Sequence, residues 1–335
     1  MEYLQLHAHV QFVKGSELGA LYDLQRGRVR AAPLVLEQIL QAYATLPLTE
    51  VLIQCFGGNK SVFDRYTQFL IGGDWAFITA HPQRFPSASL DWDSAYRLHS
   101  AIVAHDFLRP YDIRRALEEI SDIGCRHLEL QLYHYPTTGK TADDAWAAVG
   151  EALRAGEFRR CTLVISPTTD DSPLAIETIA GFLQDWPRMG TVVMLGQHDD
   201  RSLEQYGQQY HLRRALTIGE YARKTWELHP DTNFVGPNYF REAKVANPYF
   251  NRRLAIDPAG NFKNDLLYGG NDIFGKVGER PIREVIADPN FQRRWQAGPD
   301  AIAQTKSNPL RYCIRYDRPI EADPSNPAAW SFASA

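Results

Sequence analysis

Two histidines near the start of the chain have the spacing of a metal-ligand pair. His7 and His9 lie in the segment LHAHV, and side chains two residues apart in a strand point to the same side. A catalytic zinc needs at least one more ligand and an open position. The candidates are His198, Asp199 and Asp200, in GQHDD after the apolar segment TVVML, and His105-Asp106 and His134 are further possibilities. Turn-rich sequence, and not a helix, follows His9, so scattered surface or packing histidines are the alternative to a metal site.

The four cysteines do not have the spacing of a metal cluster. They lie far apart, without any CxxC pair, whereas a four-cysteine cluster requires thiolates that converge on the metal. Cys125 and Cys161 begin apolar segments, which is typical of thiols buried in a hydrophobic core. The other two are Cys55 and Cys313.

Other catalytic patterns are weak or absent from the sequence. Asp91 and Asp93, and likewise Asp199 and Asp200, are carboxylate pairs that would share acid–base work if their surroundings separated their pKa values. Helix capping by Asp93 is the alternative. The chain contains no GxxxxGK[ST] or GxGxxG phosphate-binding pattern and no GxSxG nucleophile motif.

The composition excludes several classes of function. The chain has 335 residues and a net charge of −4, whereas nucleic-acid binding usually requires a basic patch or stripe. No apolar segment approaches the roughly 20 residues that span a bilayer, and MEYLQLHAHV lacks the basic start and apolar core of a signal peptide. We therefore expect a cytoplasmic protein that binds neither nucleic acid nor membrane.

Residues 1–82 predict a small unit of strands followed by helices. The segment 3–13 suits a strand, LGALYDL and RGRVRAA suit a second and a third strand, and WAFIT suits a closing strand. Pro33 opens a predicted helix, and residues 59–72 form another that ends at Gly72. The pattern resembles the winged-helix leader-peptide recognition domains of ribosomal peptide pathways, such as the peptide chaperone of pyrroloquinoline quinone biosynthesis.

That resemblance implies a peptide-binding site by β-augmentation, in which a peptide pairs with an exposed strand edge and packs against a helix. Basic side chains around the third strand would meet an acidic leader. The alternative is an ordinary solvated strand face. The expected peptide-binding residues are Arg26, Arg28, Val29, Arg30 and Ala31 on the strand and Phe63, Tyr66 and Leu70 on the helix.

Residues 85–240 alternate between strand and helix patterns, which predicts right-handed βαβ units and a parallel sheet. The predicted strands are SASLDWD at 87–93, HLELQLY, CTLVISPT and TVVMLGQ, and an amphipathic helix covers 110–124 with Gly124 as its end. The segment is shorter than a full eight-unit barrel, which typically has ~250 residues. We therefore expect a partial barrel of an α/β fold, the core shape of radical S-adenosylmethionine enzymes.

Residues 241–320 contain two short patterns, a hairpin with Ile256, Asp257, Gly260 and Asn261 and a later segment with Phe274, Gly275 and Val277. They resemble the "I-D-x-x-G-N" hairpin and the "F-G-x-V" of the SPASM region that follows many radical S-adenosylmethionine enzymes. Cysteines of that region hold iron–sulfur clusters. Here Tyr249 and Asp265 stand where cysteines are expected, and Cys313 alone remains in the last segment. Residues 321–335 are Pro/Ala/Ser-rich and predict a tail with Trp330 as its anchor.

In this order, the parts resemble the SPASM-domain peptide maturases that occur with ATP-grasp ligases in ribosomal peptide (RiPP) systems. VKGSELGALYDLQRGRVRAAPLVLEQIL, FPSASLDWD and ISDIGCRHLELQLY carry the likeness together with the hairpin. Because no CxxxCxxC occurs, the resemblance implies a pseudo-enzyme without cofactor that binds a precursor peptide and presents it to a partner such as an ATP-grasp ligase. The alternative is a metal-dependent hydrolase or peptide-modifying enzyme that uses His7, His9 and His198.

Overall fold

The computed structural model describes most of the chain. The gaps in the description are residues 137–138, 155, 168–174, 184–185, 187, 206, 215–216, 219–233, 269–271, 316–317 and 334–335, and only the backbone is described at 139–142, 167 and 178. The predicted α/β class is confirmed, since helices surround a large, mostly parallel sheet.

The N-terminal residues form two small antiparallel sheets and three helices. Strands β2, β3 and β4 form one sheet in that order, and β1 pairs with β5 in the other. Helix α3 begins after Asn59, whose side chain accepts a hydrogen bond from the Val62 N–H, and α2 ends at Gly57 in the left-handed conformation. The bounds are β1 Tyr3–Leu6, β2 Val10–Lys14, β3 Leu18–Asp23, β4 Arg28–Pro33, α1 Val35–Tyr43, α2 Leu48–Phe56, α3 Lys60–Gly72 and β5 Ala76–Thr79.

The strands and helices predicted in this part are present, with two differences. The predicted strand at 3–13 is two strands, because the Val10 N–H bonds to the His7 carbonyl at 2.9 Å and closes a turn over residues 7–9. His7 and His9 therefore lie in a turn and not on one side of a strand. The sequence pattern does not predict helix α2, because its short segment LTEVLIQCF follows Pro47 without an N-capping side chain.

The central part builds an eight-stranded sheet in the order β10-β11-β9-β8-β7-β6-β12-β13, in which β12 (Arg253–Ile256) and β13 (Phe262–Lys263) come from the C-terminal part. Six neighbouring strands, from β11 to β12, are parallel, and β10 and β13 pair antiparallel at the two edges. The predicted parallel sheet is confirmed, while its curvature into a partial barrel stays a prediction. The bounds are β6 Ser100–Asp106, α4 Ile113–Asp122, β7 His127–Tyr135, α5 Gly139–Arg154, β8 Arg160–Pro167, α6 Ile176–Leu183, β9 Met189–Met194, β10 Arg201–Gln205 and β11 Gln208–Leu212.

The first parallel strand differs from the prediction. Residues 87–93 contain no helix or strand, and Ser100–Asp106 is the first strand of the sheet. Its central residues Ala101–Ala104 are buried on both faces, so the strand reads as a short continuous apolar run and lacks the alternation that marks a half-exposed strand. Helix α4 agrees with its prediction, because Gly124 ends it with a φ of 87°.

The predicted hairpin at 252–265 is present and belongs to the large sheet. Its first strand pairs parallel with β6, and its second pairs with the first. Asp257 closes the turn by accepting hydrogen bonds from the N–H groups of Ala259 and Asn261 at 3.0 and 2.9 Å. The C-terminal bounds are α7 Pro237–Val245, β12 Arg253–Ile256, β13 Phe262–Lys263, α8 Ile282–Ala287, α9 Pro289–Gln292, β14 Ile320–Asp323 and β15 Asn326–Phe332.

The segment 321–335, predicted as a tail, contributes to a hairpin of β14 and β15. The Asp323 carboxylate accepts a hydrogen bond from the Ser325 N–H at 2.8 Å and shapes the turn. Trp330 packs into the large core, in agreement with its predicted anchoring role.

The three-stranded sheet of the N-terminal part has apolar contacts on both faces. Leu21 and Ala32 pack against helices α1 and α3, whereas Tyr22 and Val29 pack against α7 and the segment 310–314. The N-terminal part is thus joined to the C-terminal part through a buried face. In the part of the chain that the structure describes, no helix is long and apolar enough to cross a membrane.

Candidate functional site

Strand β4 lies at the edge of its sheet and pairs with β3 only, as far as the described residues show. The Leu24 N–H, at the end of β3, bonds to the His9 carbonyl at 3.1 Å. In an antiparallel strand, the backbone groups of successive residues point to opposite neighbouring strands. The N–H and C=O groups of the even-numbered residues of β3 therefore point towards β2, and those of the odd-numbered residues point towards β4. Val29 and Ala31 lie opposite Tyr22 and Ala20. Their N–H and C=O groups therefore point outward, where a docking strand would pair.

Two of the predicted arginines hold the turn that leads into β4. Asp23 is fully buried and accepts hydrogen bonds from the Arg26 backbone N–H at 2.9 Å and from Arg28 Nε at 2.9 Å. Arg28 also donates to the Gly73 carbonyl and lies 4.4 Å over the Trp75 ring. Burial alone would raise the pKa of Asp23, but the hydrogen bonds from Arg26 and Arg28 outweigh it, so this pKa lies below its ordinary value. These two arginines are structural parts of the turn.

Arg30 is the predicted arginine that faces outward. Its side chain lies 4.9 Å over the Phe69 ring of α3. Among the described residues it has no carboxylate partner within 4.0 Å. A cation that lacks a local partner, beside a half-buried ring, can receive an acidic and an apolar side chain together.

The predicted helix residues lie on a different side of α3. Phe63 and Tyr66 pack on Phe56 of α2, with ring centroids 5.6 and 5.8 Å apart, and Leu70 is fully buried. Phe69 is the α3 side chain that reaches β4. Sequence reasoning missed its role because Phe69 lies within an apolar helix pattern that reads as core. The sequence does contain one indication of this role. Phe69 follows Tyr66 by three residues and so widens the apolar face of the helix on one side.

The histidines do not form the alternative metal site. His7 Nε2 contacts Asp74 at 3.2 Å, and His9 Nε2 contacts Asp23 at 3.2 Å. Burial lowers the pKa of His9. His198 is exposed, and its backbone carbonyl accepts a hydrogen bond from Arg214 at 2.9 Å. Within the described residues, no group of three or more His, Cys, Asp or Glu side chains is placed to hold a metal ion.

Another predicted histidine, His134, pairs with a carboxylate at the carboxyl edge of the large sheet. His134 Nδ1 lies 2.8 Å from Asp106 Oδ1, which also accepts the Leu108 N–H at 2.9 Å. Despite its burial, Asp106 has a lowered pKa because of these hydrogen bonds, so it is a carboxylate that orients the imidazole. His134 has a φ of 50°, in the left-handed region that favours glycine. In open parallel sheets, ligands bind at this edge, and an oriented imidazole there can transfer protons.

The cysteines do not fit an iron–sulfur cluster. Cys125 and Cys161 are buried at the opposite, amino edge of the sheet, and burial raises both pKa values to about 12. Cys313 is buried against the N-terminal sheet, and Cys55 is exposed on α2. Cluster ligands are converging thiolates, and these side chains are dispersed.

The two positions where the SPASM frame expects cysteine form an ionic and aromatic contact instead. Asp265 pairs with Arg253 at 3.1 Å, and the same guanidinium lies 4.1 Å over the Tyr249 ring. Tyr249 and Asp265 thus share Arg253 as a partner.

Comparison with known proteins gives distant structural matches only. No family model and no curated protein matches the chain. Two matched structures are crystal structures of SuiB from Streptococcus suis, each 10% identical and covering 92% of this chain and 94% of that chain. The SuiB structure bound to S-adenosylmethionine has a TM-score of 0.35, and the other SuiB structure has 0.31.

Proposed function

We propose that this chain is a binding protein in RiPP maturation. Its N-terminal unit, residues 1–82, recognises the leader of a precursor peptide in the cytoplasm. The remainder presents the peptide to a partner modifying enzyme, such as an ATP-grasp ligase. The observation that carries the proposal is the edge of β4, which has outward Val29 and Ala31 backbone groups beside Arg30 and Phe69.

The mode of binding follows from these groups. A peptide strand pairs with the N–H and C=O groups of Val29 and Ala31 and extends the sheet by one strand. An acidic peptide residue reaches the Arg30 guanidinium, and a neighbouring apolar residue packs on the Phe69 ring. The backbone bonds supply affinity without regard to sequence, whereas Arg30 and Phe69 select acidic and apolar residues.

The assignment of the other parts rests on sequence resemblance and local structure. A three-stranded antiparallel sheet followed by three helices supports a winged-helix-like recognition domain. The Asp257 hairpin supports a SPASM-like region at 241–320, after a partial barrel at 85–240. The dispersed cysteines support the pseudo-enzyme form without a cluster.

Selection of a displayed library of linear 15-residue peptides against the full chain tests the proposal. We expect acidic peptides to be enriched, and the Arg30→Glu variant to bind a selected peptide about tenfold more weakly. Arg65→Glu, an exposed arginine of α3, is the matched control and should bind nearly as wild type. The proposal fails if no peptide is enriched, or if the two variants lose affinity equally.

A second candidate function is peptide modification by acid–base chemistry, which the His134–Asp106 pair favours. Mass spectrometry of a selected peptide after incubation with the chain alone separates the two candidates. A mass change that His134→Gln abolishes would support catalysis, and an unchanged mass would support binding alone.

A further inference from the structure

A pocket lies at the amino edge of the large sheet, which is the edge opposite to the one that carries His134. It is a pocket of 590 Å³ beside the residues that directly precede β6 and β12. This volume lies within the range of small-molecule pockets. Among the described residues, its lining contains three arginines, two tryptophans and neither aspartate nor glutamate. The arginines and tryptophans are Arg97, Arg252, Arg283, Trp92 and Trp295.

Arg252 is held in place by its backbone and by carbonyl groups. Its φ of 52° lies in the left-handed region, which costs free energy for a residue other than glycine. Its guanidinium donates to the carbonyls of Ser94, at 2.8 Å, and Tyr96, and it lies 5.3 Å over the Trp92 ring. At one wall of the pocket, Arg252 is thus a cation held in a fixed position over the Trp92 ring.

Arg97 and Arg283 are exposed at the pocket and have no ion pair within 4.0 Å among the described residues. They also line an adjoining cavity of 480 Å³ that contains Glu119 and Asp122. Glu119 already accepts hydrogen bonds from Arg115 at 3.0 Å and from the Ile282 N–H at 2.8 Å. Arg252 lies 3.9 Å from the exposed carboxylate of Asp93. The pocket cations that have no ion pair among the described residues are therefore Arg97 and Arg283.

We propose that this pocket binds a ligand in which a carboxylate or phosphate group is attached to an aromatic or apolar body. Planar guanidinium groups match the geometry of both oxyanions and bind them with paired hydrogen bonds. The Trp92 and Trp295 rings and the apolar wall of Val245 and Ile286 take the body of the ligand. This proposal is independent of the peptide site at β4.

Indole ¹H–¹⁵N signals of the full-length protein give a local test. Seven tryptophans produce seven signals, and Trp92→Phe and Trp295→Phe identify the two of the pocket. The probes are phenyl phosphate, N-acetylphenylalanine and its uncharged amide. We expect the two anions to shift the Trp92 and Trp295 signals with saturation and the amide to leave them unchanged; the stronger anion identifies the oxyanion.

Charge variants distinguish a site from unspecific contact. The double variant Arg97→Gln/Arg283→Gln should weaken binding of the better anion about tenfold, whereas Arg84→Gln, another exposed arginine, should not. Both positions are exposed, so the fold should persist, and the unchanged remaining indole signals check this. Three results would overturn the proposal. The amide could shift the two signals as much as the anions do, the double variant could bind the anion as tightly as wild type, or neither anion could give a saturable shift.

Discussion

At the residue scale, the carboxylate of Asp23 organises the approach to the proposed peptide edge. It is fully buried, contacts His9 at 3.2 Å, and accepts hydrogen bonds from Arg26 and Arg28. A buried carboxylate is tolerated only with such partners. The two arginines thereby become fixed, and Arg30 is left as the outward cation of the strand.

Asp23→Asn should destabilise the protein by about 2–3 kcal/mol at neutral pH, because the fully buried group then loses its charge-assisted hydrogen bonds with the half-exposed Arg26 and Arg28. Urea unfolding measures the difference. Asp74→Asn is the matched control: this carboxylate also contacts Arg26 but is exposed, so its loss should cost less than about 1 kcal/mol. Equal losses for the two variants would contradict the role given to Asp23.

The stabilisation by Asp23 should also depend on pH. Its folded pKa lies below the ordinary value of 3.8, so the contribution is present above the unfolded pKa and is lost as the pH falls through the folded pKa. The stability difference between wild type and Asp23→Asn should therefore shrink below about pH 4. A difference that stays constant from pH 7 to pH 3 would contradict the lowered pKa.

At the element scale, the β12–β13 hairpin joins the C-terminal part of the chain to the large sheet. Gly260 has a φ of 84°, and a Cβ at this position would lie 3.2 Å from the Tyr111 ring. The turn thus requires glycine for two reasons, backbone conformation and close approach.

Gly260→Ala should cost about 2 kcal/mol or more of stability, because conformational strain of about 1–2 kcal/mol adds to the contact with Tyr111. Gly58→Ala is the control, since Gly58 has a φ of 80° and no atom within 4 Å of the added Cβ. It should show the conformational cost alone. Thermal unfolding of both variants tests this, and an equal loss would mean that the contact with Tyr111 contributes nothing.

The sequence predicts the elements whose patterns are strong and local. Helix α4 has its apolar residues on one face, and the Asp257 hairpin has its turn residues in place. The sequence does not predict strand β6, because a strand that is buried on both faces lacks the alternation of apolar and polar residues. The sequence also does not predict the β14–β15 hairpin. Its segment is rich in Pro, Ala and Ser, and Trp330 packs into a core formed by residues that are distant in the sequence.

The same distinction applies to the candidate site. The β4 strand and its arginines could be predicted from a short stretch of sequence. Their division into fixed and outward side chains depends on Asp23, Gly73 and Trp75, which only the folded chain brings together. The pairing of Asp106 with His134, 28 residues apart, likewise requires the parallel register of β6 and β7.

At the scale of the whole molecule, a buried aromatic cluster attaches the N-terminal sheet to the C-terminal part. The Tyr22 ring lies 5.1 Å from Phe240, which lies 5.2 Å from Tyr312, and the Tyr22 hydroxyl donates to the Pro309 carbonyl at 2.7 Å. One face of the N-terminal sheet is therefore part of a larger core. Binding experiments on this protein require the full chain.

Phe240→Ala should destabilise the protein by about 3–4 kcal/mol through the cavity it leaves. Hydrogen exchange should accelerate in β3 and β4 as well as in α7, because the cluster joins them. Phe85→Ala, a phenylalanine that is 43% exposed, is the control and should cost clearly less. Acceleration confined to α7 would show that the two parts are not coupled through this face.

The central claim is that a peptide pairs with the outward edge of β4, and one comparison of affinities tests it most directly. Ala31→Pro removes an outward N–H that β3 does not use, and an edge strand tolerates proline at such a position. Ala31→Thr keeps that N–H and is the matched control. With a peptide selected against the full chain, we predict that Ala31→Thr binds as wild type and that Ala31→Pro binds at least about tenfold more weakly. Equal affinity of the two variants, with both folded as judged by circular dichroism, would contradict the account.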